Sequence, residues 1–250
     1  MVTFTSGFAR TYSEAWRFLV ALPFLGVAII GVEGLQHLVE WRAGMFVSSA
    51  GAHHAATDMG RMVFGSVKVL WIELVTFWVL RFFVSGSADT TLRAGREAVR
   101  RYAVVMIVMA ALALITLWPP VLAPAQAQRT VSLVLLAVQL VIFPLEAALT
   151  PWMVGAALGD RRADIGFSLR RAWGSIWWAL ALSLLTAVPL MVVHYALNLG
   201  AVGQPTPVAA IMLAADAVFV GYLGVAIGTA QAVVAQRMAE RAGDALVVLA

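Results

Sequence analysis

The strongest constraint on this chain is a series of six long apolar runs. They lie at about Phe18–Val39, Met62–Val84, Tyr102–Leu122, Val131–Leu158, Ser175–Leu199 and Val208–Gln236. Roughly 20 helical residues cross the hydrocarbon of a bilayer. Lipid offers backbone amides no hydrogen-bonding partner, so such runs must satisfy their own N–H and C=O groups as helices. Composition agrees: 62% of the 250 residues are hydrophobic and 12% charged, against about 45–50% and 25% in soluble domains. The expectation is an all-α, polytopic membrane protein, a single integral domain over residues 1–250 with six transmembrane helices. No stretch remains for a soluble catalytic domain, and the absence of cysteine excludes disulfides, thiolate metal sites and cysteine nucleophiles.

Basic residues decide the orientation. One set of alternate ends holds Arg10 and Arg17, then Arg81, Arg93, Arg96, Arg100 and Arg101, then Arg161, Arg162, Arg170 and Arg171, then Arg237 and Arg241. The other holds only Arg42, Arg61 and Arg129. Because arginine and lysine accumulate on the cytoplasmic side, both chain ends are expected in the cytoplasm, in a bacterial inner membrane. The pI near 10.1 is accounted for by these flanks, so no nucleic-acid partner is expected.

Three basic segments, 1–17, 86–101 and 160–173, read as amphipathic helices lying on the cytoplasmic face. In the first, Phe4, Phe8, Tyr12, Ala15, Trp16 and Leu19 fall within roughly 120° of helical arc, opposite Arg10, Ser13, Glu14 and Arg17. Cleavage as a signal peptide is not expected, because Ser48-Ser49-Ala50 lies too far beyond the apolar run. The entries Glu14-Ala15-Trp16-Arg17, Glu97-Ala98-Val99-Arg100 and Arg171-Ala172-Trp173 recur at intervals of 83 and 74 residues. They suggest three copies of an interfacial helix plus a transmembrane hairpin; any basic segment preceding a span would look similar. This arginine-and-tryptophan entry, with its amphipathic recurrences, resembles a group of bacterial six-span inner-membrane proteins like the membrane domain attached to some glycerophosphodiester phosphodiesterases. The resemblance implies the six-span fold and carries neither the phosphodiesterase activity nor any site residue.

Ionisable groups inside the runs are the candidate functional residues, since each costs roughly 2.5–3.5 kcal/mol at mid-membrane unless paired, protonated or wet. Glu73 and Glu146 fall near the middle of the second and fourth runs, with Gln139 seven residues before Glu146 on the same helical face. Pro144 and Pro151 bracket Glu146 and free backbone carbonyls beside it. Interhelical hydrogen bonding and a proton or cation relay are both open readings. A second group collects toward the outer face: Glu33, Gln36, His37 and Glu40, with Lys68, His194, Asn198 and Asp216. Glu33, His37 and Glu40 share one helical face, and Lys68 and Asp216, lacking sequence-local partners, are expected to pair with them. The result is either a polar vestibule or a structural salt-bridge network.

His53, His54 and Asp58, in the outer loop near His37, are the only set resembling a metal site. No ligand spacing fixes its geometry, and no metal or cofactor is expected. Gly221, Gly224, Gly228 and Ala232 on the sixth run allow close helix approach, first of all for packing within the bundle. Trp41, Trp118, Trp152, Trp173, Trp177 and Trp178 are expected at the membrane interfaces.

The leading functional expectation is a non-enzymatic membrane protein that handles a small solute or lipid through a polar inner cavity. Glu146, Glu73, Lys68, Asp216, Glu33 and His37 are its working residues. An accessory or structural subunit of a larger membrane complex is the alternative. Partners are then membrane lipids and, in the alternative, other subunits or a second copy.

Overall fold

Apolar runs that must satisfy their own backbone become helices, and the computed structural model, which describes residues 2–122 and 125–246, contains only helices and turns there. In chain order these are α1 (Phe4–Ala21), α2 (Pro23–Arg42), α3 (Ser49–Ala55), α4 (Met59–Ser85), α5 (Ala88–Leu92), α6 (Arg96–Leu117), α7 (Pro119–Leu122), α8 (Gln128–Leu158), α9 (Ile165–Ala172), α10 (Ile176–Gly200) and α11 (Thr206–Arg241). Helices α2, α4, α6, α8, α10 and α11 are long and apolar enough to cross a membrane. The fold is that of a polytopic all-α membrane protein.

Local chemistry sets the boundaries. Thr3 and Ser6 form a reciprocal capping box at the start of α1. Pro23 cannot donate a backbone hydrogen bond, so α1 ends at Leu22 and α2 begins afresh. The first span therefore starts at Pro23 and not at Phe18. The Asp58 carboxylate accepts the Arg61 amide at 2.8 Å and caps α4; Gly86, at φ 65°, terminates it.

Helix α11 is the axis of the bundle, packing against α1, α2, α4, α8 and α10. Its small residues permit this. A β-carbon on Gly221 would lie 2.6 Å from Ile30 Cγ1 of α2, and one on Gly228 would lie 3.1 Å from Val79 Cγ1 of α4. The glycine stripe thus serves packing inside the bundle. Tyr222 donates to the Tyr12 carbonyl at 3.1 Å and Tyr12 to the Thr186 carbonyl at 2.9 Å, lacing α11, α1 and α10 together.

Two buried groups repair backbone defects. Pro151 sits inside α8, where its ring opens the local hydrogen-bond ladder. Ser168 of α9 fills the gap, accepting from the Trp152 amide at 2.9 Å and donating to the Ala148 carbonyl at 2.8 Å. Arg81, 1% exposed, sends its guanidinium to the carbonyls of Thr90, Thr91, Arg93 and Ala157 at 3.0–3.1 Å. It holds α5 against the end of α8.

Several expectations are corrected. The 86–101 segment is not one interfacial helix: α5 is a separate turn, and Arg96 to Arg101 already belong to α6. The buried face of helix α1 is rotated from the expected one: Gly7, Thr11, Ala15 and Phe18 are buried, Phe4, Phe8, Tyr12 and Leu19 are partly buried beside them, and Trp16 is exposed. Small residues at 7, 11 and 15 let α1 seat closely against its neighbours, with Phe4, Phe8 and Tyr12 packing alongside. Trp152 lies in the core, whereas Trp173 and Trp177 are exposed. Ala15, Ala98 and Ala172 are all buried, but they sit on an 18-residue helix, at the start of α6 and at the end of an 8-residue helix respectively. Three equivalent units are not built.

Replacing Gly221 with leucine is expected to destabilise the protein by about 1–3 kcal/mol through overpacking against Ile30. Gly34→Ala, where no atom lies within 4 Å of the new β-carbon, is expected to cost nothing and to gain up to about 1 kcal/mol of helix propensity. Thermal unfolding of the detergent-extracted protein reads both.

Candidate functional site

Residues three and four apart share a helix face, and α2 uses this rule to bury Glu33, Gln36, His37 and Glu40 together. Helix α11 brings Asp216, with no exposed surface. Helix α4 contributes Arg61 and Lys68, and α10 contributes His194 and Asn198. Four membrane-spanning helices thus converge on one polar cluster.

The contacts form a continuous chain. Lys68 Nζ lies 3.0 Å from Glu33 Oε2, and Arg61 Nε donates to Glu40 Oε1 at 2.9 Å. Gln36 Nε2 donates to the same Glu40 oxygen at 3.1 Å. His37 Nδ1 is 3.0 Å from Glu40 Oε2, while its Nε2 lies 3.0 Å from Asp216 Oδ2 and 3.7 Å from Glu33 Oε1. On the other side of Asp216, His194 Nδ1 is 2.7 Å from Oδ1. Ion pairs compensate much of the desolvation such groups suffer, yet not all atoms are satisfied. Glu33 Oε2, His37 Nε2 and Asp216 Oδ2 have charged neighbours but no hydrogen bond of acceptable direction among the described residues.

The cluster opens onto a cavity of about 350 Å³. Its wall includes Glu33, Glu40, Arg61, Lys68, His194 and Asn198. The cavity shares Val69 and Leu117 with a second of about 750 Å³, between α6 and α8, which reaches Gln139 and Glu146. Glu146 also faces a third, smaller cavity with Thr150, Ser183 and Gln231. Glu73 and Glu146 lie within electrostatic reach of each other, and Tyr102 donates to the Glu73 backbone carbonyl at 3.1 Å.

The expected residues therefore fall into two stations. Glu33, His37, Lys68 and Asp216 meet in the cluster, where Lys68 and Asp216 find the partners their isolation in sequence demanded. Glu146 forms the second station, in the wall of two cavities, and Glu73 lines neither of them. Gln139 shares a cavity with Glu146 but is exposed on the helix surface, so the two do not form a buried seam. The outer-loop metal set does not assemble: His53 and His54 are exposed on α3 and Asp58 is engaged as a helix cap. Arg61 reads in the sequence only as a flanking charge. A further signal is present there, because Arg61, Gly65, Lys68 and Ile72 follow helical spacing and all line the cavity.

No protein-family model, curated protein or solved structure matches this chain. The resemblance drawn from its entry segments stands on those residues alone.

A double-mutant cycle tests the pairing. Lys68→Met alone is expected to destabilise by up to about 3–5 kcal/mol, because it leaves the Glu33 carboxylate buried without its cation. Adding Glu33→Gln should restore a large part of that loss. Equal, additive losses in thermal or denaturant unfolding would contradict the pairing.

Proposed function

We propose that this chain is a non-enzymatic, multi-pass membrane protein that handles a small polar solute through the cavity between α2, α4, α10 and α11. One observation carries the reading: a cavity of about 350 Å³ with at least five ionisable side chains in its wall, within helices of membrane-spanning length. Such groups are unfavourable in lipid, so they are retained where they serve a purpose. The adjoining cavity gives a solute a next position, beside Glu146. The side chains of the cluster are committed to ion pairs, which suits binding and passage better than covalent chemistry.

We place the protein in a bacterial inner membrane with both chain ends cytoplasmic. Support comes from the strongly exposed Arg93, Arg100, Arg161 and Arg162, which lie at the start of α6 and in the connections on the same side of the bundle, as the positive-inside rule expects. The polar cluster lies toward the opposite side, near the α10–α11 connection.

An accessory subunit is the second reading. A shallow apolar groove of about 400 Å³ runs along Gly31, Gly34, Leu35, Leu38, Trp41 and Ala214. Small residues along such a groove allow another helix to approach closely.

The two readings separate in one experiment. Thermal unfolding of the purified protein is followed against a panel of inorganic ions, amino acids, polyamines, sugars and short-chain lipids. At about 100 times its dissociation constant a true ligand stabilises by about 2.7 kcal/mol. We expect at least one small polar class to raise the Tm of the wild type and not of Gly65→Phe, which fills the cavity. A panel with no effect, together with loss of a co-purifying partner in Gly34→Leu, would favour the subunit.

A further inference from the structure

We infer that Glu33, His37, His194 and Asp216 form a binding site for one divalent transition-metal ion of the zinc class. The inference names the solute class of the cavity proposed above, and rests on that reading for any transport role. Binding itself stands on geometry alone.

Zinc bound to imidazole nitrogen and carboxylate oxygen keeps bonds of about 2.0–2.2 Å, so tetrahedral donors sit roughly 3.3–3.6 Å apart. Here His37 Nε2 is 3.0 Å from Asp216 Oδ2 and 3.7 Å from Glu33 Oε1. The donor atoms of Glu33, His194 and Asp216 all lie within 4.8 Å of one another. These three donors, two carboxylates and one imidazole, already converge, and His37, which stands outside that set, joins as a fourth only through a side-chain rotation. Such a set suits zinc and related divalent ions, and lacks the soft sulfur ligands that favour Cu(I).

The surroundings of His37 strengthen the case. A metal-ligating histidine usually gives its other ring N–H to a carboxylate, which fixes the tautomer and aims the free nitrogen. Glu40 Oε2 holds His37 Nδ1 at 3.0 Å, and Glu40 is itself pinned by Arg61 and Gln36. A proton on Nδ1 leaves a lone pair on Nε2, facing a carboxylate oxygen 3.0 Å away. Two lone pairs at that distance repel unless a proton or a metal cation lies between them, and a metal ion can take the place of the proton because these two atoms are not aligned as a hydrogen bond to each other.

Charge and access are compatible. Three carboxylates, Glu33, Glu40 and Asp216, face two fixed cations, Lys68 and Arg61, which leaves a surplus negative charge while both imidazoles are neutral. Lys68 Nζ lies 3.0 Å from Glu33 Oε2 and donates to Oε1 at 3.4 Å, the same oxygen that lies 3.7 Å from His37 Nε2, so a metal ion at Oε1 displaces the ammonium toward Oε2. The ammonium beside the site offsets part of its charge and keeps a bound ion from being held too tightly to leave. His194 and Glu33 line the open cavity, which gives an ion a way in.

The test uses full-length protein on a histidine-free affinity tag, extracted in detergent and stripped with EDTA. It is dialysed against limiting zinc and examined by native mass spectrometry, with Co²⁺ absorption as a second readout. One zinc per chain and an intense tetrahedral Co²⁺ spectrum are expected. His194→Gln and Asp216→Asn should each weaken zinc binding at least tenfold, and Glu40→Gln about tenfold or more through the His37 contact. A His53→Gln/His54→Gln double variant should bind as the wild type does. If Asp216→Asn does not extract as a monodisperse protein, His194→Gln at the cavity edge carries the decision. No retained zinc, equal binding by His194→Gln, or loss in the His53/His54 variant overturns the site. Liposomes holding a zinc-sensitive dye separate the two claims. Binding without flux leaves the metal site standing and ends the transport reading. Absence of zinc binding, with another solute stabilising wild type but not Gly65→Phe, does the reverse.

Discussion

A carboxylate with no exposed surface, on the central helix of a bundle of apolar helices, is the constraint around which this structure is arranged. Asp216 can be tolerated there only if neighbouring helices bring it donors or cations. His37 on α2 and His194 on α10 do so, and in doing so they fix the rotation of both helices about their axes. Less than two turns further along α11, Gly221 takes the side chain of Ile30 at very close range, and Gly224 meets Ile29. The polar contact and the glycine contacts are successive layers of one α2–α11 seam. The first supplies direction and the second supplies closeness.

Two other buried polar groups follow the same rule at other depths. Where Pro151 and the ends of α4 and α8 leave backbone groups open in the apolar zone, a buried side chain completes them. Ser168 bridges the opening made by Pro151, and Arg81 gathers four carbonyls at the junction of α4, α5 and α8. These groups serve structure. In the Glu33–His37–His194–Asp216 cluster, by contrast, Glu33 Oε2, His37 Nε2 and Asp216 Oδ2 remain without an aligned partner, and Glu33 and His194 line a cavity.

Much of the fold is legible in the sequence because its signals are long and redundant. Six apolar runs survive any choice of window, and helical spacing alone places Glu33, His37 and Glu40 on one face. The pairing of Lys68 and Asp216 with that face is also readable, since an unpaired charge in lipid is too unfavourable to leave alone. Other features depend on tertiary contact and leave little trace in sequence. Arg81 looks like one more flanking cation until the carbonyls around it are in place. Arg61 likewise counts as an orientation charge, although its spacing from Lys68 points inward. The boundary at Pro23 is hidden because the apolar pattern runs through it without interruption. For α1, hydrophobicity favours the aromatic stripe, whereas close packing selects the face with Gly7, Thr11 and Ala15. The loop histidines draw attention by adjacency in sequence, while the histidines that converge come from helices far apart in the chain.

If the proposed function holds, the polar cavity opens toward the membrane face opposite the end of α11. The natural chain has no cysteine, so a single introduced thiol reports its own position. Asn198→Cys, in the cavity wall, and Arg241→Cys, at the end of α11, are each exposed in sealed membranes to a charged, impermeant thiol reagent. The two variants are expected to be labelled from opposite faces. Labelling of both from the same face, or no labelling of the Asn198→Cys variant from either, would contradict it.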